Sequence, residues 1–567
     1  MTEENIPMPW LDTLEGVRRT HLEYRMEPPF TFVKERAMNE PDDIAIIPFK
    51  GNPISYAELL DGIKRMHVAL RNLGVKKGDR VAIMLPNIPQ YIIAHYAILS
   101  LGGIVVQTNP LYTERELTHQ MNDSGATVMI TFSQLQDKAN KVMETTPIEK
   151  VIVTNLGDYM KPLVVFLGKL LKKLDDPKFR PYPNNYLWKD LMASADPSKF
   201  EEAEINVEED VAILQYTGGT TGVSKGAMLT HANVSINAQQ AREIFNTVRD
   251  KEGSLLTVLP MFHSFGLTAC MNMSFQLGVP VVLMPRFDAK EALKLIEKHR
   301  ITFFPAVPAM LVALLNDPTI KNVDLSSLRA VISGGAPLPV EVARQFEQAT
   351  DADLVEGYGL SETSPVAFAN PVGSEKIKPK IGSIGLPAPD TLAKIVDTED
   401  YNKILPIGEV GEICLKGPQV MKGYWNRPEE TAKTLIDGWL RTGDIAKLDE
   451  EGFAYIVDRK KDLIIVSGYN VVPREVEEVL YEYPKIKEAA VAGLSHPKKG
   501  EMVAAWVVLK EGESATKEEI LDFLKKNLAP YKLPKEIFFK DDLPKSMIGK
   551  VLRRKLREEY EEMAKSS

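Results

Sequence analysis

The chain has 567 residues, 44% of them hydrophobic and 26% charged, with a net charge of −9. That length exceeds what one hydrophobic core supports, so at least two folding units are required, and the scattered charge holds no basic tract of the kind that binds nucleic acid. Two cysteines, Cys270 and Cys414, are too few for a disulfide framework or a structural zinc site and fit a reducing cytosol.

The opening segment MTEENIPMPWLDT is acidic and lacks the basic head and apolar run of a signal peptide. No run of about 18 apolar residues predicts a spanning helix, so a cytoplasmic location is expected. From there, short apolar runs alternate with longer amphipathic ones. RVAIML (80–85), TVMITF (127–132), VAILQY (211–216), LLTVLP (255–260), VPVVLM (279–284) and RAVISG (329–334) predict buried strands. Residues 55–74, 89–102 and 289–300 carry helical spacing between them. This alternation predicts parallel βαβ units and an α/β layered architecture.

One stretch stands apart. In KPLVVFLGKLLKKL, 161–174, Leu163, Phe166, Leu167, Leu170, Leu171 and Leu174 share one helical face, with Lys161, Lys169, Lys172 and Lys173 opposite. It is too short to span a bilayer, and two readings stay open: a surface helix packing its leucines on the domain, or a helix lying on a membrane or partner. Near residue 390 the texture changes to LAKIVD, GEICLKG and FAYIVDR between Gly, Pro and Asp turns, which predicts a β-rich subdomain. After 460 an α+β pattern follows, with PREVEEVLYEY and KEEILDFLKKNL as helices and Pro473 suited to the first turn of the former.

The densest local signal is YTGGTTGVSKGAML, 216–229, directly after VAILQ. Gly218, Gly219 and Gly222 let backbone N–H groups approach an anion, Thr217, Thr220 and Thr221 add hydroxyls, and Lys225 adds positive charge. It is not a Walker A loop, because Val223 and Ser224 separate Gly222 from Lys225.

This string, followed in order by SGGAPL (333–338), GYGLSETSP (357–365), GWLRTGD (438–444), DRKKDLIIVSGYNVVPREVE (458–477) and PKSMIGKVLRR (544–554), resembles the adenylate-forming enzymes across roughly residues 30–560. Gly218, where many members have Ser, resembles the branch of bacterial long-chain fatty acyl-CoA ligases. The resemblance implies a large multi-layered amino-terminal domain, 1–460, with two α/β subdomains and the β-rich one, and a small mobile α+β domain, 461–567. It implies ATP, magnesium and coenzyme A, with a fatty acid as the acid substrate.

By the same resemblance, the loop and Lys225 hold phosphates, while Glu362 and Thr217 hold magnesium, for which a hard carboxylate oxygen is suited. Tyr358 stacks on adenine beside Gly335, Ala336, Pro337 and Gly359. Asp444 and Arg459 receive the ribose. His263 orients the reacting carboxylate, which is already ionised at pH 7 and needs positioning rather than a base. Lys550 is implied as the catalytic lysine, Gly468 as lining the pantetheine tunnel and Lys461 as the hinge. Asn470 stands where some members have a phosphate-touching Arg, so that contact is in doubt. On residue type alone, His263 reads as a core residue, and Lys550 with Arg553, Arg554 and Lys555 reads as a solvated charge run. A CoA ligase for a medium-chain or hydroxycinnamate acid, a loader of a carrier protein and a non-catalytic relative remain as alternatives. Peripheral membrane contact through 161–174 and a homodimer are left open.

Overall fold

The structure, a computed structural model, describes residues 6–171, 177–217, 224–245, 253–459, 462–466, 469–496, 500–546 and 549–566. Among these the chain forms four sheets.

The first sheet has eight strands. Its parallel part runs through Val211–Thr217, Ile104–Gln107, Arg80–Ile83, Val128–Phe132, Lys150–Thr154 and Asn185–Leu187, and Lys225–Thr230 and Gly423–Tyr424 close one edge antiparallel. The second has nine strands. Asp353–Gly359, Ala330–Ser333, Ile301–Ala306, Ser254–Thr257, Val281–Leu283 and Ile44–Ile47 run parallel in that order. The helix Pro89–Ser100 belongs to the shared interior. Every one of its residues is buried, Gln90, His95 and Ser100 included, which explains why its apolar residues are not confined to one stripe. By contrast, the first half of the helix Tyr56–Asn72 alternates buried Leu59 and Ile63 with exposed positions, and residues 66–70 are buried all round. The helix starts where Ser55 and Glu58 form a reciprocal cap.

The β-rich texture after 390 is a third sheet, built from Leu392–Val396, Gly411–Lys416, Trp439–Leu448, Leu435–Ile436 and Ala454–Arg459. The last part of the chain has its own sheet, Tyr469–Val471, Ile464–Val466, Gly500–Leu509, Ile486–His496 and Glu536–Phe539. Its helices Pro473–Tyr481 and Lys517–Asn527 bury Val476, Leu480, Ile520 and Leu524 in a core separate from those of the larger part. Pro473 occupies the first turn of its helix, as expected. The expected boundary at 460–461, including the hinge residue Lys461, lies outside the described residues.

Two expectations change. The glycine-rich string is not loop throughout: its ends belong to strands Val211–Thr217 and Lys225–Thr230, which pair antiparallel with Thr217 opposite Lys225. In 161–174, the helix runs Pro162–Leu170 and buries none of its residues. Leu163, Phe166 and Leu170 are 67%, 64% and 66% exposed and Leu167 and Leu171 are exposed too, so these side chains are not packed on the domain, while Lys172, Lys173 and Leu174 lie outside the described residues. No helix among the described residues is long and apolar enough to cross a membrane.

Candidate active site

In open α/β sheets, ligands collect beyond the carboxyl ends of parallel strands, where the chain leaves the sheet and backbone groups lose their ladder partners. Here Thr257, Ala306, Ser333 and Gly359 end adjacent strands of the nine-stranded sheet, and Thr217 ends a strand of the other. The segments that follow these ends carry His263, Gly335, Ala336, Pro337 and Glu362, and Tyr358 and Gly359 lie in the last residues of one of the strands.

After Gly359 the chain makes a short turn, Ser361–Thr363, that presents Glu362. The Glu362 carboxylate accepts a 2.8 Å hydrogen bond from the Tyr424 hydroxyl. Burial and the adjacent Glu362 charge hold that phenol well above its ordinary pKa, so it stays a donor at neutral pH. Lys225 sits over the ring of the same tyrosine, 5.2 Å from its centroid, and pairs with Glu430 at 2.5 Å. Tyr424 thus ties the carboxylate to the lysine. Ser224 donates to the Thr217 carbonyl at 2.7 Å, closing the base of the glycine-rich turn. Gly218, Gly219, Thr220, Thr221 and Gly222 lie outside the described residues.

A second pair forms four residues upstream of Glu362. Tyr358 donates to Asp444 Oδ2 at 2.6 Å, while its ring stands edge-on to Phe368. Asp444 is buried, and its backbone N–H donates to Thr442 Oγ1 at 3.0 Å. Arg459 is its direct partner across the ladder, so three residues far apart in sequence converge. Gly335, with a left-handed φ of 77°, opens a strip after strand Ala330–Ser333 in which Gly335 and Pro337 are exposed and Ala336 is half-buried. Gly359 permits close packing, because a Cβ there would lie 1.9 Å from the Pro365 carbonyl oxygen.

His263 sits after strand Ser254–Thr257. Its Nδ1 accepts from the Phe265 N–H at 3.3 Å, which places the neutral ring's proton on Nε2. Burial pushes its pKa down to about 4, so it is neutral at physiological pH. Three polar side chains hold the preceding loop. Asn87 accepts from Met261 N–H and donates to the Leu259 carbonyl, Tyr91 donates to the Met261 carbonyl, and Gln215 donates to the Phe262 carbonyl. Phe265 packs where a side chain on Gly334 would stand, which joins this loop to the strip at 335–337.

Lys550 enters from the small carboxyl-terminal part. Its N–H donates to Ser546 Oγ at 3.2 Å and its carbonyl accepts from Ser546 N–H at 2.8 Å. At Gly549, φ 70°, a Cβ would stand 2.9 Å from Val307 Cγ2 and 3.3 Å from Ala309 Cβ, so the lysine loop lies directly on the segment after strand Ile301–Ala306. The solvated-run reading of its neighbours is corrected at Arg553, whose guanidinium binds Glu477 at 2.7 and 2.8 Å and is 19% exposed. Gly468 is outside the described residues, and nothing is described of the Arg459 and Asn470 side chains.

Tyr424, Asn87, Tyr91 and Gln215 were not singled out from sequence. For Asn87 and Gln215 a signal exists: each is a polar residue inside an otherwise apolar run, and such groups are retained when they satisfy backbone atoms.

The AMP-binding enzyme family matches residues 33–425, and the AMP-binding enzyme C-terminal domain matches residues 475–550. The long-chain-fatty-acid–CoA ligase of Bacillus subtilis (strain 168) is 46% identical over 533 residues, 94% of each chain. That of Escherichia coli O6:H1 is 43% identical over 496 residues, 86% of this chain and 87% of its own. Among solved structures, ATP-bound MatB from Rhodopseudomonas palustris matches with a TM-score of 0.82 at 30% identity, covering 95% of this chain and all of its own. The apo form of that protein matches with 0.72 at the same identity, covering 94% and 99%.

Proposed function

The chain belongs to the AMP-binding enzyme family, and from that premise we propose that it ligates a long-chain fatty acid to coenzyme A through an acyl-adenylate. The observation that carries the reading is that the carboxyl-terminal ends of strands of one sheet hold the Tyr358–Asp444 pair, the Glu362–Tyr424 pair in the turn that follows, and the docked lysine loop at Gly549–Lys550 on the segment after Ile301–Ala306. The long-chain relatives at 46% and 43% identity support the acid class.

In the first half-reaction the fatty acid carboxylate attacks the α-phosphorus of ATP, giving acyl-AMP and pyrophosphate. Tyr358 and the strip Gly335–Pro337 enclose adenine. Asp444, an acceptor-only carboxylate, takes the ribose hydroxyls with Arg459. Lys225 and the turn 217–222 hold phosphate oxygens. Neutral His263, fixed by its Phe265 contact, donates through Nε2 to orient the fatty acid carboxylate. Lys550 offsets the negative charge that builds between carboxylate and phosphate, where a preplaced donor acts with little reorganisation. In the second half-reaction the CoA thiol attacks the adenylate carbonyl and AMP leaves. For this step we assign a small-domain swing about Lys461 that brings Gly468 to the pantetheine arm.

Magnesium fits the donor set in one specific sense. Among the described residues no cluster of three or more His, Cys, Asp or Glu could hold a metal by itself. One anchored carboxylate, Glu362, with Thr217 nearby in the phosphate turn, suits an ion that arrives with the triphosphate and keeps most of its ligands from phosphate and water. Bound there, it would neutralise triphosphate charge.

The exposed leucine face of Pro162–Leu170, with Lys161 and Lys169 beside it, favours a second assignment: peripheral contact with an anionic membrane surface, from which an insoluble acid could be taken up. The ligase reading is tested by ATP–pyrophosphate exchange across a panel of acids, followed by a CoA assay on those that respond. C12–C18 acids should exceed acetate and coumarate. Faster turnover of coumarate than of any long-chain acid would overturn the substrate class.

A further inference from the structure

Between the large part and the small domain lies a cluster of charged side chains that the reaction described above does not use. Glu356, on strand Asp353–Gly359, has a buried carboxylate. Its Oε2 accepts from the Leu338 N–H at 2.7 Å, and its Oε1 has no hydrogen-bond partner. Arg474 Nη2, from the small-domain helix Pro473–Tyr481, stands 3.9 Å from Oε1. Arg474 itself is 12% exposed. It donates to the Ile456 carbonyl at 3.2 Å, and its backbone N–H points to Asp458 Oδ2 at 3.4 Å. From the same helix Glu478 faces Arg474 Nε at 3.5 Å through Oε1, while its Oε2 accepts from the Val340 N–H at 3.1 Å. Val340 is the first residue of helix Val340–Ala349, so a small-domain carboxylate caps a large-domain helix.

We infer that Glu356, Arg474 and Glu478 form an interdomain latch that holds the small domain in its adenylate-forming orientation and braces the adenine strip while it is closed. The two carboxylates grip Leu338 and Val340, on either side of Pro339 and directly after Gly335–Pro337. One grip comes from within the large part and the other from the small domain, with Arg474 as the cation between them. A swing about Lys461 must separate Arg474 from Glu356 and Glu478 from Val340. It then takes the counter-ion away from Glu356, which is costly for as long as the carboxylate stays charged and out of water. Burial already pushes the Glu356 carboxyl up to about 7, with Glu478 adding to the rise and Arg474 opposing it. The other charged groups around the cluster, Asp458, Glu477 and Arg553, are engaged with one another at 2.7 to 3.6 Å and leave Arg474 as the counter-ion of Glu356. Because binding and orientation are linked, whatever favours docking tightens the nucleotide, and release of the latch loosens it before AMP leaves.

These are positioning residues, and the inference rests on the two-step reading. The test measures both half-reactions in Arg474→Gln, Arg474→Lys, Glu356→Gln and the Arg474→Gln/Glu356→Gln double variant. Arg474→Gln should lower fatty-acid-dependent pyrophosphate exchange about tenfold, chiefly through a higher KM for ATP, in the usual range of coupling between sites. Thioester formation from preformed acyl-AMP should stay within about twofold. Arg474→Lys should recover part of the loss, and Glu356→Gln, which keeps an acceptor for Leu338, should make the second substitution less than additive. Energy transfer between dyes on Met38→Cys and Met563→Cys, both exposed sites in a chain whose own cysteines are buried, should show a shift away from the docked orientation in Arg474→Gln. Equal loss of both half-reactions, full additivity in the cycle or unchanged energy transfer would overturn the latch. Absence of exchange in the unsubstituted protein would instead strike the ligase reading, and the dye measurement would then judge the latch alone.

Discussion

Replacing Tyr424 with Phe isolates the link between Glu362 and Lys225. The substitution keeps the ring, and with it the contact to Lys225 at 5.2 Å, and deletes only the hydroxyl that donates to Glu362 at 2.8 Å. A hydrogen bond to a charged group contributes about 1.5–3 kcal/mol, and Glu362 is half-buried, so water replaces part of it. A loss of about 1–2 kcal/mol remains, or roughly 5–30-fold in rate. The assay is palmitate-dependent ATP–pyrophosphate exchange over a range of magnesium concentrations. The variant should need more magnesium and show kcat/KM for ATP lowered by that factor. Its melting temperature should stay within about 2 °C, because one hydrogen bond is a small part of so large a fold. Tyr424→Leu, which also removes the cation–π contact of about 0.5–1 kcal/mol, should cost up to about fivefold more. Unchanged exchange in Tyr424→Phe, or a loss that tracks a fallen melting temperature, would refute the reasoning.

Lys550→Ala should depress pyrophosphate exchange by orders of magnitude, since one transition-state contact contributes about 3–4 kcal/mol, yet still convert preformed acyl-AMP to acyl-CoA. Gly468→Leu should do the reverse, and loss of the same half-reaction in both variants would rule out the swing. Acid should destabilise the large part. Burial lowers His67, His231 and His263 to about 4 and His95 to about 3, so the unfolded chain takes up these protons first as pH falls through 6.5. Stability present above 6.5 is lost progressively towards the folded-state values, at about 2 kcal/mol per histidine by pH 5. His95→Phe, in a setting of Tyr91 and Tyr96, should flatten that loss in scanning calorimetry, and parallel pH curves for variant and parent would contradict it. Leu167→Glu with Leu171→Glu should weaken co-sedimentation with anionic vesicles and spare adenylation of a soluble short acid. Loss of adenylation instead would return the leucines to a packing role.

Much of the layered architecture is legible because buried parallel strands leave apolar runs such as VAILQY and RAVISG, and amphipathic helices leave a periodic stripe. The segment after His263 left neither signal. Residues 266–272 form a wide π-helical turn with every residue buried, polar Thr268 and Asn272 included, so no contrast between a buried and an exposed face leaves a period to read. Local composition likewise marked the glycine-rich turn as an anion wrap, but the pairing of Thr217 with Lys225 is a property of the hairpin. Tyr424 escaped because its meaning lies in a contact 62 residues away in sequence. Glu356 reads as an ordinary strand residue in DLVEGYG, and only the docking of Arg474 from another domain gives its charge a context. The leucines of 162–170 show the converse: helical spacing identified the face, and only the fold shows that none of the described residues buries it.

The central claim, an acyl-adenylate formed before the thioester, is tested most directly by running the ligation with palmitate carrying heavy oxygen in its carboxylate. Attack of that carboxylate on the α-phosphorus leaves one labelled oxygen on AMP when the CoA thiol displaces it. The account predicts one labelled oxygen in each AMP and none in pyrophosphate. Unlabelled AMP, or label in a phosphate other than that of AMP, would contradict it.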